Sequence, residues 1–212
     1  MTVTLIEHMG TDLTVVNSAR VSFQKIASTV EAREVKLINY LAKHNHWTPF
    51  SHCMVTLHIK MPIFVSRQWF KHSVGFTRNE VSRRYVKSTP EFWIPEQFRS
   101  KPVNAKQGSG GAIEESSTTH SYRSAIKHCN GELVHLYEDM INDGVAPEIA
   151  RSILPQSMYT EFYETASLAA YARLYKLRGE ESAQKEIQDY AEQINSIMAE
   201  LFPVSWAALV KV

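Results

Sequence analysis

The chain contains very little cysteine, no long apolar run and no excess of charge of either sign. Two cysteines among 212 residues exclude a disulfide-stabilised scaffold and a cysteine-rich zinc site. No stretch approaches the roughly 20 consecutive apolar residues that a membrane helix needs, and residues 1–10 do not resemble a signal peptide. A hydrophobic content of 44% with 21% charged residues is typical of a globular protein. These features predict a cytoplasmic protein with one domain over residues 1–212, with no bound metal and no membrane segment.

Positive charge is concentrated in one short segment of this balanced chain. The 23 lysines and arginines nearly equal the 22 acidic residues, so bulk attraction to nucleic acid is not expected. Six of these cations and a single acid, Glu80, lie between residues 67 and 87. Aromatic side chains are interleaved with the cations, whereas a charge run on a solvated surface usually lacks them. Because guanidinium groups match phosphate oxygens, the segment predicts a site for a nucleotide or another phosphate ester.

Hydrophobic periodicity predicts an α+β fold with most of its helices in the C-terminal half. Apolar residues alternate from Cys53 to Met61, which is the pattern of a half-buried strand, and residues 2–7 predict a shorter strand. Residues 101–113 contain three of the eight glycines and predict a loop. Helical spacing predicts helices over 30–46, 118–142, 160–178 and 183–201, one over 62–72 with Arg67, Gln68 and Lys71 on one face, and another between Pro147 and Pro155.

The common motifs of nucleotide-binding and hydrolytic enzymes are missing. The sequence contains no G-x-G-x-x-G, no P-loop and no H-E-x-x-H. Cys53 points toward the core in the alternating strand, which predicts an unreactive buried thiol. Ser82 has no general base beside it in the sequence, so we interpret it as an anchor for phosphate or backbone and not as a nucleophile.

The segment RQWFKHSVGFTRNEVSRRY (67–85) resembles the signature of the flavin-dependent thymidylate synthases. In that family an R-Q-W-F lead-in is followed by Arg-His-Arg, seven residues and a serine, and the motif closes on N-E-x-S-x-R-Y. The resemblance extends over nearly the whole chain, because further segments match the family in the expected order: SARVSF (18–23), HWTPFSH (46–52), PIFVSRQWF (62–70), EIARSILP (148–155) and LRGEESAQKEIQ (177–188).

This resemblance implies an enzyme that methylates dUMP reductively to dTMP. It implies FAD as the cofactor, methylenetetrahydrofolate as the carbon donor and NADPH as the reductant. It also implies a central, mostly antiparallel sheet flanked by helices, and a homotetramer with active sites at the subunit junctions. All of these ligands are anionic, which agrees with the local excess of positive charge.

The resemblance also transfers site residues, position by position. The positions that match dUMP contacts are Gln68, Lys71, Glu80, Val81, Ser82, Arg83, Arg84, Arg151 and Arg178. Among them Arg178 matches the catalytic arginine that favours ionisation of the uracil ring. The positions that match or adjoin flavin contacts are Ser22, His52, Lys71, His72, Ser73, Arg78, Glu80, Ser167 and Arg173.

The chain departs from the family signature at the Arg-His-Arg element. Lys71 and Ser73 stand where the family has arginines, and eight residues separate Ser73 from Ser82. We hypothesise that Arg78, together with Arg173, supplies the missing positive charge. Two other interpretations stay open: a nucleotide- or flavin-binding homologue without synthase activity, and a small RNA-binding module that uses the basic, aromatic segment.

Overall fold

The computed structural model describes residues 2–86, 88–103 and 108–211. Four strands form one antiparallel sheet in the order β1-β2-β4-β3. The strands are β1 (Thr2–Met9), β2 (Met54–Pro62), β3 (Phe76–Glu80) and β4 (Tyr159–Ser167). The helices of the described residues are α1 (Asp12–Arg20), α2 (Ala32–Lys43), α3 (Ile63–Trp69), α4 (Ser117–Asn142), α5 (Pro147–Ala150), α6 (Leu168–Arg178), α7 (Lys185–Leu201) and α8 (Pro203–Val210). The α+β prediction, the flanked antiparallel sheet and the helix-rich C-terminal half are confirmed.

The chain divides into two compact units. The first unit comprises Met1–Ile59, Lys71–Asn79 and Tyr163–Val212, and the second comprises Lys60–Phe70 and Glu80–Phe162. Each unit is assembled from separate stretches of the sequence, so neither corresponds to an N-terminal or C-terminal domain. The expectation of one domain over residues 1–212 stays a prediction.

The core of the first unit is built on amphipathic helices. On α2 the buried face carries Ile38 and Leu41, and this helix packs against α8. Helices α6, α7 and α8 pack against one another and bury large side chains such as Tyr190 and Trp206. Burying one large apolar side chain stabilises the folded state by about 1.5–3 kcal/mol.

Strand β2 follows the alternation that its sequence predicts. Cys53, at the entry to the strand, and Val55, Leu57 and Ile59 within it are fully buried, while the intervening side chains are partly exposed. Burial also raises the pKa of the Cys53 thiol to about 12, with the neighbouring Asp12 charge acting in the same direction. The prediction of a buried thiol is therefore confirmed, and the raised pKa agrees with low reactivity.

The helix predicted over 160–178 is wrong in its first half. Residues Tyr159–Ser167 form strand β4, and the helix begins only at Leu168. The inward side chains of β4 include Thr160 and Glu164, so the strand has no alternating apolar pattern. The alanine-rich run that follows is a good helix former and extended the helical prediction too far upstream.

Two other predicted helices are shorter than expected. The helix predicted over 30–46 ends at Lys43, and the helix that begins after Pro62 ends at Trp69. Lys71 therefore lies beyond α3 and not on its face. Of the loop predicted over 101–113, residues 104–107 lie outside the described residues. No helix in the described ranges has both the length and the apolar composition to cross a bilayer.

Candidate functional site

A cavity of about 460 Å³ in the second unit brings several predicted residues together. We call it the Arg151 cavity. Helix α5 begins with Pro147, whose fixed φ suits the first helical position, and a 3-10 turn follows from Arg151 to Ile153. The cavity is lined by Ile63, Glu80, Val81, Arg83, Glu148, Arg151, Ser152, Leu154, Met158, Tyr159 and Thr160. Four of the residues predicted to contact dUMP are among them: Glu80, Val81, Arg83 and Arg151.

The acidic side of the Arg151 cavity is fixed by hydrogen bonds. Glu80 Oε1 accepts a hydrogen bond of 2.5 Å from the Thr160 hydroxyl, and the Val81 amide donates to the Glu161 carbonyl at 2.8 Å. Arg83 and Arg151 supply positive charge in the same cavity, while Glu80 and Glu148 supply carboxylates. Such a mixture can bind a phosphate through its cations and accept hydrogen bonds from hydroxyl or ring N–H groups through its carboxylates.

The turn after β3 holds the next predicted residues. The Ser82 hydroxyl oxygen accepts hydrogen bonds from the Arg84 amide at 3.4 Å and from Arg84 Nε at 3.3 Å. The Arg84 guanidinium also lies 5.1 Å from the centre of the Tyr85 ring, and Arg83 donates to the Ser88 carbonyl. Neither an amide nor a guanidinium can act as a base for Ser82, so these contacts agree with its interpretation as an anchor.

A second group of predicted residues lies in the first unit around His72. We call it the His72 cluster: His72, Arg78, Arg173 and Arg178. Arg178 lies at the end of α6, and its Nε donates a hydrogen bond of 2.9 Å to His72 Nε2. A histidine that accepts at Nε2 is neutral and carries its proton on Nδ1. The hydrogen bond therefore joins a residue predicted to contact the flavin to the residue predicted to act on the uracil.

The electrostatics of the cluster keep His72 neutral. Burial lowers the pKa of His72 from 6.5 to about 4, and the positive charges of Arg178, Arg78 and Arg173 act in the same direction. Burial is the larger cause, and the three arginines add positive charge that Glu164 partly balances at Arg78. The cluster is therefore suited to bind an anionic group.

The Arg78 side chain is largely enclosed, with 14% of its surface exposed. Its Nε donates a hydrogen bond of 2.5 Å to Glu164, whose side chain is 0% exposed, and its guanidinium lies 4.7 Å from the centre of the Phe76 ring. Arg173, by contrast, is exposed and donates to the Val74 carbonyl at 2.9 Å. Both arginines contribute to the lowered pKa of His72, and much of the Arg78 charge is balanced by Glu164.

The segment between α3 and β3 packs closely on the start of α6. Gly75 has φ +83, and a Cβ there would approach the Ala170 Cβ to 3.2 Å. Ser167 begins α6 as its N-cap, with its hydroxyl accepting a hydrogen bond of 3.3 Å from the Ala170 amide. The predicted Ser167 thus lies at a helix N-terminus, where a hydroxyl satisfies an otherwise unpaired N–H.

Other predicted residues lie outside both of these groups. Ser22 is exposed in a 3-10 turn, Val21–Phe23, and His52 is exposed at the end of another, Thr48–His52. Lys71 and Ser73 are exposed beyond α3, and Gln68 is half-buried on that helix. Among the described residues no group of three or more His, Cys, Asp and Glu side chains is placed to hold a metal ion.

Two residues that hold predicted site residues in place are not identified by any sequence motif. Thr160 holds Glu80, and Glu164 holds Arg78. Both lie on β4, in the segment that was predicted as a helix. The buried face of β4 mixes Thr160 and Glu164 with Phe162 and Ala166, so hydrophobic periodicity does not reveal the strand.

A protein-family profile described as thymidylate synthase complementing protein matches residues 4–204 of the chain. The chain belongs to this family. Curated relatives named flavin-dependent thymidylate synthase include one from Thermosipho africanus, which is 38% identical over 98% of this chain and 90% of its own length. Another, from Thermus thermophilus, is 39% identical over 97% of this chain and 74% of its own length.

A solved structure resembles this member of the thymidylate synthase complementing family over nearly its entire length. It is the UMP/dUMP methylase PolB from Streptomyces cacaoi, crystallised with 5-Br dUMP. The two structures align with a TM-score of 0.85 and 30% sequence identity, over 99% of this chain and 94% of the other. The family suggested by the motif at residues 67–85 is confirmed.

Proposed function

We propose that this chain is a flavin-dependent thymidylate synthase that methylates dUMP to dTMP. In this proposal FAD is the cofactor, methylenetetrahydrofolate donates the carbon and NADPH is the reductant. The enzyme acts in the cytoplasm as a homotetramer with active sites at the subunit junctions. The observation that carries the proposal is the Arg151 cavity, where Arg151 meets Glu80 and Arg83 although it lies far from them in the sequence.

In this proposal the Arg151 cavity binds the nucleotide. Guanidinium groups are the preferred protein partners of a phosphate monoester, because they form paired, charge-assisted hydrogen bonds. Arg83 and Arg151 fill this role, and Ser82 and Arg84 stabilise the turn that presents Arg83. Glu80, held by Thr160, accepts hydrogen bonds from sugar hydroxyl or ring N–H groups.

Arg178 and His72 together form the proposed catalytic arrangement. A cation beside the uracil stabilises the negative charge that develops on the ring, so the ring carbon becomes a better nucleophile without a covalent bond to the enzyme. His72 is uncharged near neutral pH and accepts from Arg178 Nε, which fixes the orientation of the guanidinium. Bound FAD supplies hydride chemistry, while the protein supplies alignment and electrostatics.

The His72 cluster suits an anionic cofactor such as FAD. Burial is the main cause of the lowered pKa of His72, and the charges of Arg178, Arg78 and Arg173 add to it; a cofactor phosphate would neutralise part of that charge. Arg173 is the exposed cation of the cluster, while Arg78 contributes from its buried pair with Glu164. We propose that these arginines replace the two motif arginines that Lys71 and Ser73 do not provide.

A direct test combines a visible spectrum with product analysis. The purified protein should be yellow, and its reduced flavin should be oxidised, with formation of dTMP, when dUMP and methylenetetrahydrofolate are added. Arg151→Gln should raise the KM for dUMP about tenfold or more, since it removes a charge-assisted contact. Arg67→Gln, an exposed arginine that does not line the Arg151 cavity, is the matched control.

A second candidate is a flavin- or nucleotide-binding homologue without synthase activity. Two observations favour it: Lys71 and Ser73 are exposed, and the charge of Arg78 is balanced by Glu164. A yellow protein that binds dUMP but forms no dTMP would support this candidate and refute the synthase. A colourless protein that retains RNA in a salt-sensitive manner would refute both and support the RNA-binding interpretation.

A further inference from the structure

The first unit contains another cavity, of about 460 Å³, that combines cations with exposed rings. We call it the Arg33 groove. Its lining residues are Arg20, Phe23, Lys25, Arg33, Lys36, Leu37 and Tyr40. None of them is among the residues predicted for dUMP or the flavin. Four are cationic and none of these described lining residues is acidic.

One wall of the Arg33 groove is a single face of α2. Arg33, Lys36, Leu37 and Tyr40 follow the spacing i, i+3, i+4 and i+7, so they lie on the same side of the helix. The opposite face of α2, which includes Ile38, is buried in the core of the unit. Core packing therefore fixes the rotation of the helix and presents the two cations and the two apolar side chains to the groove.

The other wall is a loop that hydrogen bonds hold in place. The Asn17 side chain clamps the loop at Ala27, accepting from its amide at 2.8 Å and donating to its carbonyl at 3.0 Å. The Gln24 amide donates to the Val21 carbonyl at 3.0 Å, and Gln24 has φ 54. These contacts define the course of the chain on both sides of Lys25. These hydrogen bonds therefore hold the wall of the groove that contains Lys25 in a defined conformation.

Arg20 is the pre-organised cation of the groove. It forms an ion pair with Glu34, and its side chain is only 15% exposed. This carboxylate is already engaged, so Lys25, Arg33 and Lys36 remain to balance the charge of a ligand. Three nearby cations match an anion with more than one phosphate group better than they match a single carboxylate.

The aromatic side chains indicate that the ligand also carries a flat ring. Phe23 is 74% exposed and Tyr40 is 54% exposed, although large apolar side chains are usually covered in a folded protein. Stacking of a nucleobase on such a ring contributes about 1–3 kcal/mol per base. Cations beside exposed rings form a surface that suits a nucleotide.

We infer that the Arg33 groove binds a nucleotide bearing at least two phosphate groups. The groove is separate from the Arg151 cavity proposed for dUMP, which is a monophosphate, and for a pyridine dinucleotide the inference rests on the reductant named in the proposed function. Two sources share the required chemistry, a nucleoside diphosphate and the phosphorylated adenosine half of a pyridine dinucleotide. Binding of either kind depends on the same cations and rings.

The test measures binding of ADP and of NADP⁺ to the purified, flavin-loaded protein by calorimetry at low and moderate salt. The two probes distinguish the sources. Binding of ADP but not of NADP⁺ indicates a nucleoside diphosphate site, whereas binding of NADP⁺ but not of ADP indicates a pyridine dinucleotide site. Lys36→Gln should lower the affinity for the probe that binds by about threefold to tenfold, and Phe23→Ala should lower it by about tenfold. Lys43→Gln removes the same charge from the same helix outside the groove, and it should leave the affinity unchanged.

Several results would overturn the inference. One is that neither probe binds, and another is that Lys43→Gln weakens binding as much as Lys36→Gln does. Loss of flavin in Lys36→Gln would assign the groove to the flavin itself, and a change in oligomeric state would assign it to a subunit contact. If the protein methylates dUMP but binds neither probe, this inference is refuted and the proposed function still stands.

Discussion

The burial of His72 beside three arginines predicts a specific pH dependence of folding stability. Replacing His72 by glutamine keeps an acceptor, because the glutamine carbonyl oxygen reaches the position of Nε2, but it removes the titrating group. In the wild type the folded pKa is about 4 and the ordinary value is 6.5. The unfolded chain therefore binds the proton more tightly, so the contribution of His72 is complete above pH 6.5 and is lost as the pH falls toward 4.

The size of this effect follows from the pKa difference. A fall from 6.5 to about 4 corresponds to roughly 3 kcal/mol at about 1.4 kcal/mol per unit. His72 is only half-buried, so water screens part of the interaction, and we expect about 1–2 kcal/mol between pH 7 and pH 4.5. The free energy of unfolding of His72→Gln should be less sensitive to pH by this amount.

Urea unfolding at fixed protein concentration between pH 7 and pH 4.5 measures this difference. His128→Gln is the matched control, since it removes an exposed histidine of α4. Its pH dependence should remain that of the wild type. The reasoning fails if His72→Gln and the wild type lose the same free energy of unfolding on acidification.

Three further outcomes are expected. Glu164→Gln should lower the free energy of unfolding by about 3–5 kcal/mol in urea titrations, because it leaves the enclosed Arg78 without its buried counter-charge; a loss below about 1 kcal/mol would contradict this. Gly75→Ala should cost about 1–2 kcal/mol by the same measurement, since φ is +83 there; a neutral effect would show that the loop relaxes freely. A thiol reagent should label the exposed Cys129 quickly and the buried Cys53 only on unfolding, so rapid labelling of both thiols in the native protein would be the contrary result.

The sequence predicts secondary structure best where one face of an element is apolar. Strand β2 was identified because its buried positions are all hydrophobic, and α7 because its buried stripe has helical spacing. Strand β4 was missed because a carboxylate, Glu164, occupies a buried position and pairs with Arg78, which is 86 residues away. A charge that is buried through a distant partner cannot be recognised from local periodicity.

The residues of the candidate site were found by resemblance and not by pattern. Local spacing identified the basic segment, but it contained no information that Arg151 would join Glu80 in one cavity, or that Arg178 would reach His72. Thr160, which fixes Glu80, had no local signal at all. Contacts of this kind depend on how distant segments meet in the fold. The roles of these residues toward ligands stay predictions.

The cationic surroundings of His72 link ligand binding to proton uptake. An anion that neutralises Arg173 or Arg178 weakens the repulsion that, together with burial, keeps the imidazole uncharged, so the proton affinity of the ring increases on binding. By thermodynamic reciprocity, mild acid would then strengthen the association of that anion. Calorimetry in buffers with different heats of ionisation would report this as a fractional number of protons taken up per ligand bound.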